Sequence, residues 1–239
     1  MQTIFQRHEI KYRITRAQQE RVMAAIGDRM RADSYGVSTI RNVYFDTPDH
    51  RLIRRSLEKP VYKEKLRVRG YATAREDSTV FVELKKKYKG VVYKRRVALP
   101  EVQAMAFLCG REMPGDTQIL REIDYLLDYY GCLRPTMFLS YDRQAFYDRE
   151  DPGLRLTFDD RILWRQERMR LTEEVGGRLL LPPDTVLMEI KTATALPLWL
   201  TEILTRERIY KSPFSKYGTA YLETVQENSI YTEEENRYV

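Results

Sequence analysis

The sequence of 239 residues has few of the residues that build disulfide or metal frameworks, with only two cysteines and two histidines. Cys109 and Cys132 form no CxxC pair, which excludes a disulfide scaffold and a cysteine-rich zinc site. The most apolar helix-like stretch, Leu196–Leu204, is too short to cross a bilayer and contains Glu202. The N-terminus, MQTIFQRHEIKYR, lacks the apolar segment of a secretory signal. We therefore expect a protein of the reducing cytoplasm.

The familiar phosphate-binding and hydrolytic motifs are also missing. The sequence contains no GxxxxGK[ST] loop and no GxGxxG fingerprint. It also contains neither an HExxH helix nor a GxSxG nucleophile elbow. Any phosphate chemistry must therefore use side-chain cations instead of a glycine-rich backbone cradle.

The charge that is present is unevenly distributed. Hydrophobic residues make up 43% of the chain, enough for a substantial core, and charged residues make up 32%, with a formal net charge of +6. The stretch from Lys63 to Arg96 contains 12 Lys or Arg and only 4 Asp or Glu, so its local net charge is +8 and the rest of the chain nets −2. The positive charge is therefore concentrated in one strand-rich stretch and is not spread as a solubilising coat, and an anionic partner is plausible but not required.

Alternation of apolar and charged residues with a period of two predicts several strands. On each of them one face is apolar and the other carries Lys, Arg and Glu. A turn at Gly90 and another at Asp151-Pro152-Gly153 should connect two pairs of strands. The predicted strands are Ile4–Ile14, Tyr62–Tyr71, Thr79–Lys87, Val91–Pro100, Thr136–Tyr147, Leu154–Leu163 and Val186–Thr192.

Helical patterns lie between these strands. Thr15 and Asp116 are predicted N-caps, and Gly131 follows the end of the second helix. We find no internal repeat and no linker, so we expect a single α+β domain over residues 1–239 around an antiparallel sheet, with a flexible tail over 229–239. The predicted helices are Arg16–Met30, 116–130, Pro197–Ile209 and Tyr217–Asn228.

The repeated charged face has two interpretations. In an ordinary half-buried sheet it would be the solvated surface. In a closed barrel of about eight strands it would point inward and surround a ligand, while helices would cover the apolar outside. Inward Lys and Arg would need an anionic ligand, because unpaired buried charge is costly. Occasional Glu among them would fit a divalent ion that accompanies phosphates.

Short motifs in order along the chain resemble one known family, the catalytic domain of the vacuolar transporter chaperone (VTC) and its bacterial relatives. That family belongs to the triphosphate tunnel metalloenzymes, together with CYTH proteins. Each motif is weak alone, but nine in the family's order over about 210 residues make a specific match. They are Arg7-His8-Glu9-Ile10-Lys11-Tyr12, Tyr44-Phe45-Asp46-Thr47, Lys65-Leu66-Arg67-Val68-Arg69-Gly70-Tyr71, Phe81-Val82-Glu83-Leu84-Lys85, Lys94-Arg95-Arg96, Tyr141-Asp142-Arg143-Gln144-Ala145-Phe146, Leu154-Arg155-Leu156-Thr157-Phe158-Asp159, Met188-Glu189-Ile190-Lys191 and Lys211-Ser212-Pro213-Phe214-Ser215-Lys216-Tyr217.

The resemblance implies an antiparallel barrel that forms a triphosphate tunnel flanked by helices. The wider CYTH group opens with E-x-E-x-K, whereas this chain has Arg7 at the first position, which favours the polymerase branch. Some eukaryotic relatives also carry a regulatory SPX domain and membrane helices. Neither pattern occurs in this sequence, so its regulation and any peripheral or partner-mediated membrane association are left open.

The resemblance also implies roles for individual residues. Glu189 would bind Mn²⁺ or Mg²⁺, and Glu9 and Glu83 would orient cations rather than bind metal. Tyr12 and Tyr141 would hydrogen-bond phosphates, although packing in the core is equally compatible with their positions. The implied catalytic cations are Lys11, Arg67, Arg69, Lys85, Lys94, Arg143, Arg155 and Lys191, and Lys211 and Lys216 would bind substrate.

The function implied is that of a polyphosphate polymerase with ATP and inorganic polyphosphate as partners. Two alternatives share the same residues: a hydrolase of tripolyphosphate or another triphosphate, and a non-catalytic module that binds polyphosphate or inositol phosphates. Nucleic-acid binding is disfavoured, because the sequence contains no helix-turn-helix, RNP or zinc-finger pattern. The oligomeric state is left open.

Overall fold

The computed structural model describes the backbone of residues 8–89 and 91–235, so Arg7 and the predicted turn residue Gly90 lie outside it. This part of the chain contains nine strands and six helices. The strands are β1 (His8–Thr15), β2 (Met30–Asp46), β3 (Tyr62–Gly70), β4 (Thr79–Tyr88), β5 (Val91–Pro100), β6 (Arg134–Asp148), β7 (Arg155–Arg165), β8 (Arg178–Leu179) and β9 (Thr185–Thr192). The helices are α1 (Arg16–Ile26), α2 (Arg51–Leu57), α3 (Glu101–Gly110), α4 (Gln118–Tyr130), α5 (Leu198–Arg206) and α6 (Lys216–Glu235).

All the strands belong to one antiparallel sheet in the order β1-β9-β7-β6-β2-β3-β4-β5, with β8 paired to β7. The register puts charged residues of neighbouring strands side by side on one face. Lys11 pairs with Glu189 across β1 and β9, and Arg67 pairs with Glu83 across β3 and β4. The predicted α+β class with an antiparallel sheet is confirmed.

The sheet is strongly curled, so its charged face is concave. Lys85 of β4 lies 3.5 Å from Glu9 of β1, measured between Nζ and Oε2. These strands are six positions apart in the sheet and would be separated by roughly 29 Å if the sheet were flat. The charged residues therefore surround a common space.

The curled sheet differs in one respect from the closed barrel expected from the sequence. Within the described residues its two end strands, β1 and β5, do not pair with each other. The free edge of β1 is instead occupied by the segment before α6, where Tyr12 bridges Lys211 and the Ser212 amide donates to the Lys11 carbonyl at 2.8 Å. Because these backbone groups of β1 are already paired, they are unavailable to β5.

Helices cover the apolar, convex face in two places. α1 and α5 pack on β1, β7 and β9, where Val22, Ile26 and Leu200 meet Met188 and other buried residues. α3 and α4 pack on β3, β4 and β5, through residues such as Phe107 and Ile123. Burial of these side chains provides the main driving force for folding. It also turns the charged residues of the same strands to the opposite, concave face.

One end of the concave face is apolar and is covered by α6. Tyr217 and Ala220 of this helix are buried against Leu139, Trp164 and Leu187 of the sheet. The Trp164 indole Nε1 also donates to Glu223 at 2.9 Å. The space lined by charge is therefore bounded at this end by a helix and an apolar cluster.

The predicted elements agree in most cases with the observed ones. Thr15 caps α1 as expected, with a capping box completed by Gln18, but the helix ends at Ile26 because Met30 begins β2. Thr117, not Asp116, caps α4. α6 is longer than predicted, and its backbone reaches Glu235 inside the predicted tail, whose flexibility stays a prediction. No helix among the described residues is long and apolar enough to span a membrane.

Candidate functional site

Buried carboxylates organise the cations of the concave face. The most connected is Glu83 on β4, whose side chain is 1% exposed. Its Oε2 accepts hydrogen bonds from Arg67 at 2.9 and 2.7 Å and lies 3.8 Å from Arg69. Its Oε1 lies 2.7 Å from Lys94 and 3.5 Å from Arg96. Burial alone would raise the pKa of Glu83, but Arg67, Arg69 and Lys94 outweigh it and hold the pKa far below its usual range.

Asp159 on β7 forms the second such centre and is fully buried. Arg143 of β6 donates to both of its oxygens, from Nε at 2.5 Å and from Nη2 at 2.6 Å. Lys216, the first residue of α6, donates to Oδ2 at 2.5 Å. Burial opposes ionisation, but Lys216 and Arg143 outweigh it and lower the pKa of Asp159. This two-point geometry fixes the orientation of the guanidinium as well as its position.

Glu189 and Glu9 form a third centre at β9 and β1. Glu189 lies 2.8 Å from Lys191 and 3.9 Å from Lys11. Glu9 lies 3.2 Å from Lys11 and 3.5 Å from Lys85. Burial works against ionisation of Glu189, but Lys191 and Lys11 keep its pKa far below its usual range. Lys85, Lys11 and Lys191 likewise lower the pKa of Glu9 against burial and the charge of Glu189.

Tyr141 lies among the cations of the first two centres. Its hydroxyl accepts a hydrogen bond from Arg69 at 3.3 Å, and Lys216 Nζ is 4.3 Å from the centre of its ring. Burial would raise the pKa of Tyr141, but Arg69, Arg143 and Lys216 lower it to about 8. The phenol therefore lies where a phosphate oxygen would meet both a hydrogen-bond donor and positive charge.

Arg155 is also on the concave face, but it contacts an aromatic ring instead of a carboxylate. Its guanidinium lies 4.8 Å from the centre of the Tyr147 ring. Its Nε is buried and has no hydrogen-bond partner among the described residues. In the register it is opposite Lys191 of β9. Because its donor is unsatisfied, Arg155 has capacity for an anionic ligand.

Two of the predicted substrate-binding residues lie elsewhere. Tyr12 is buried in the convex core with Ile14 and Val22, on the face of β1 opposite Lys11. Lys211 bridges Tyr12 through its backbone, and its side chain is exposed. Paired residues of an antiparallel ladder share a face, so Lys211 is directed away from the charged space as well. This placement argues against the substrate-binding roles inferred for both residues. The motifs gave the order of these residues in the chain but not the face of the sheet on which they lie.

Asp159, Lys65 and Arg96 also lie on the concave face, although no role was assigned to them from the sequence. Asp159 and Lys65 both occur in the family motifs. Each alternates with cations that were assigned to the site, so the sequence contained a signal for both. Arg96 lies 3.5 Å from Glu83 and follows the same phase on β5. Period-two counting from the assigned cations would have found all three.

The carboxylates of the concave face are candidate ligands for a divalent metal. Among the residues that the structure describes, no group of three or more His, Cys, Asp or Glu is arranged to hold a metal ion alone. Glu189 and Glu9, however, are close enough for the charge of one to oppose the ionisation of the other. Mg²⁺ is commonly held by one or two carboxylates together with substrate phosphates and water. The donor set therefore fits an ion that arrives with phosphate and not one held in a protein-only cage.

Known proteins with related structures share the architecture. A protein from Bacillus halodurans, solved as a proposed adenylate cyclase, superposes with a TM-score of 0.57 at 16% identity, covering 90% of this chain and 96% of that one. A similarly described protein from Vibrio parahaemolyticus gives a TM-score of 0.50 at 11% identity, covering 92% and 99%. At these identities the likeness extends to the fold alone.

Comparison with curated proteins found no match. The family model described as the VTC domain matches residues 6–225. That range includes every strand and all the charged centres described above. The chain therefore belongs to the VTC domain family.

Proposed function

We propose that this protein is a cytoplasmic polyphosphate polymerase that transfers the γ-phosphate of ATP to a growing inorganic polyphosphate chain. The observation that carries the proposal is the excess of positive charge on the concave face. Among the described residues, nine cations are ion-paired there with only four carboxylates, so these groups carry a net charge of +5 before Lys65 and Arg155 of the same face are counted. Buried charge of one sign is costly unless a ligand of opposite sign compensates it. A linear chain of phosphates is such a ligand.

The reaction needs no nucleophile from the protein. A terminal oxygen of phosphate or polyphosphate forms a bond to the γ-phosphorus, while the bond from that phosphorus to the oxygen bridging it to the β-phosphate breaks. ADP leaves with the bond's electron pair, and the acceptor gains one phosphate. Catalysis then consists of alignment and stabilisation of charge on the transferring group.

The carboxylate centres supply that alignment. Two hydrogen bonds to Glu83 fix the orientation of the Arg67 guanidinium, and two to Asp159 fix that of Arg143. Asp159 also holds the Lys216 amine, and Asn42 accepts from Arg69 at 3.0 Å. Donors held in place before the substrate binds cost little reorganisation during the reaction. Arg presents a planar pair of donors to a phosphate, whereas Lys acts as a compact charge.

Glu189, with Glu9 beside it, would hold the divalent ion. Mn²⁺ or Mg²⁺ bound there would neutralise phosphate charge and help to align the two reacting oxygens. Ionised carboxylates are required for this, and the cations around Glu189 keep it ionised at neutral pH. Lys11 and Lys191 would remain as its neighbours and contact adjacent phosphates.

The test is to incubate the purified protein with ATP and Mn²⁺ and to analyse the products on a polyphosphate gel, beside an assay for orthophosphate. A ladder or smear that an exopolyphosphatase destroys is the expected result. Orthophosphate without polymer would overturn the proposal in favour of a hydrolase. Binding of tripolyphosphate without either product would overturn it in favour of a binding module.

A further inference from the structure

Lys65 of β3 belongs to the charged face but not to any of its three carboxylate centres. Its cross-strand partner is Lys85 of β4, and the next pair outward on the same face is Lys63 with Lys87. Like charges directly opposite each other destabilise a sheet. The β3–β4 ladder therefore carries uncompensated positive charge at this end, next to the ion-paired Arg67 and Glu83.

The contacts of Lys65 are polar or aromatic but not ionic. Its Nζ donates to Ser215 Oγ at 3.1 Å and lies 5.9 Å from the centre of the Tyr217 ring. Across the described part of the chain, no carboxylate oxygen comes within 4.0 Å of this nitrogen. An ammonium group has three donors, so at least two remain for a ligand.

The neighbours of Lys65 make its charge costly in the free protein. Burial first, and then Lys85 of β4, Lys11 of β1, and Lys63 and Arg67 of β3, lower the pKa of Lys65 to about 7. The side chain faces Ser215 and Tyr217 on the other side, and neither supplies a negative charge. By contrast, Lys11 and Lys85 each have Glu9 within 3.5 Å.

We infer that Lys65 is a further phosphate-binding residue of the charged face, and that the bound polyanion supplies the counter-ion that no described carboxylate provides. The inference takes its ligand class, a chain of two or more phosphates, from the proposed function. It does not depend on whether the protein polymerises or hydrolyses that chain. The amine has three N–H donors and no carboxylate beside it. A phosphate oxygen would accept from the unused donors and supply the negative charge. Ser215 limits the freedom of the amine by accepting one of its hydrogen bonds.

Proton uptake should accompany binding. A phosphate beside Lys65 favours the charged form and raises its pKa above about 7. Below pH 7 the amine is already protonated and binding takes up no proton through it. Above pH 7 a proton must be acquired, so affinity should fall as pH rises. Burial also lowers the pKa of Lys94 to about 8, although the charge of Glu83 opposes this shift. Lys94 therefore contributes a second proton to the uptake, and substitutions of Lys65 should leave that contribution unchanged.

The experiment is isothermal titration calorimetry with tripolyphosphate and no added metal, between pH 6 and pH 9. Each titration is done in two buffers of different ionisation enthalpy, so that the protons taken up are counted. Lys65→Met should weaken binding at pH 6.5 by about tenfold or more, and it should remove part of the proton uptake near pH 8. Lys65→Arg should restore the affinity but not the uptake, because arginine stays protonated.

Lys86→Met is the matched control, since this residue is adjacent to Lys85 but on the opposite face, where it pairs with Glu64. It changes the net charge equally and should leave affinity and proton uptake as in the wild type. Thermal unfolding shows whether the variants are folded. Lys65→Met should have a higher Tm than the wild type at pH 7, because the substitution removes a charge that is unfavourable in the folded state.

The outcomes separate this inference from the proposed function. Wild-type affinity and proton uptake in Lys65→Met would overturn the role of Lys65 and leave the proposed function standing. Tight, Lys65-dependent binding by a protein that makes no polymer would overturn only the polymerase proposal. Failure of the wild type to bind tripolyphosphate would overturn both.

Discussion

Asp159 and Lys216, 57 residues apart in the sequence, meet in a 2.5 Å contact between Oδ2 and Nζ. The contact fastens the first residue of α6 to the middle of β7. The next residue, Tyr217, is buried in the apolar cluster and donates to Asp46 at 2.9 Å. The same helix therefore closes one end of the charged space and contributes a cation to it.

Asp159→Asn should strongly destabilise the fold. The substitution leaves Arg143 and Lys216 buried without their counter-ion, and breaking a buried pair of this kind costs about 3–5 kcal/mol. Added tripolyphosphate should raise Tm more in the variant than in the wild type, because it would compensate the freed cations. Thermal unfolding with and without tripolyphosphate measures both effects.

Asp160→Asn is the matched control, because the neighbouring carboxylate pairs with the surface residue Arg16. Surface pairs contribute roughly 0–1 kcal/mol, so little change in stability is expected.

The stabilisation by Asp159 should depend on pH, because the pKa of Asp159 is lower in the folded state than in the unfolded state. The stabilisation is complete above about pH 4, the pKa of an ordinary Asp. It is lost as the pH falls through the pKa of Asp159 in the folded state. The acid part of the Tm profile should therefore be flatter in Asp159→Asn, and equal Tm losses in both variants would contradict this account.

Glu189→Ala should abolish turnover while leaving the fold intact. Lys11 keeps Glu9 as a partner at 3.2 Å, so the cation cluster does not lose all of its compensation. We expect the rate to fall by at least about a hundredfold, measured as polymer or orthophosphate formed from ATP at saturating Mn²⁺. Glu202→Ala on the exposed side of α5 is the control. Full activity of Glu189→Ala would contradict the proposal that Glu189 binds the metal.

Tyr141 should ionise about two pH units before an ordinary tyrosine, since Arg69, Arg143 and Lys216 overcome burial to lower its pKa to about 8. Above that pH the phenolate adds negative charge beside the phosphate site, so it should weaken tripolyphosphate binding. Ultraviolet absorbance titration should show one early phenolate in the wild type and none in Tyr141→Phe. Tyr12→Phe should retain the early step, because burial raises the pKa of Tyr12.

Gly177→Ala should destabilise the connection between β7 and β9. Gly177 has a φ of +128°, and a Cβ there would lie 2.3 Å from the Trp164 carbonyl oxygen. Backbone strain of this kind costs roughly 1–3 kcal/mol before the clash is added. Gly36→Ala provides the comparison, because Gly36 also has a positive φ, +59°, but has nothing within 4 Å of the new Cβ. Chemical denaturation should therefore show the larger loss for Gly177→Ala.

Two of the elements that the sequence did not predict have physical reasons of their own. β2 contains a register shift between Ala32 and Val37, so its first half lacks the alternation that identifies a strand. α3, which spans Glu101–Gly110, is apolar nearly all round and shows no helical stripe. Periodicity detects an element only where one of its faces meets water or charge and the other meets the core.

The sequence by itself determined which residues share a face. Period-two alternation correctly separated Arg67 and Arg69 from Leu66 and Val68, and it put Tyr12 opposite Lys11 even though the motif suggested a common role. The order of motifs also determined the family. These are local properties, because the geometry of a strand depends on its neighbours along the chain.

Only the tertiary structure decided whether the charged face is flat or encloses a space. Curling of the sheet depends on twist accumulated over eight strands and on helices packed against the convex side, neither of which a single strand encodes. The same curvature brings Glu9 to Lys85 and leaves Lys65 without a carboxylate. Which cations have a carboxylate partner and which do not is therefore a property of the folded sheet.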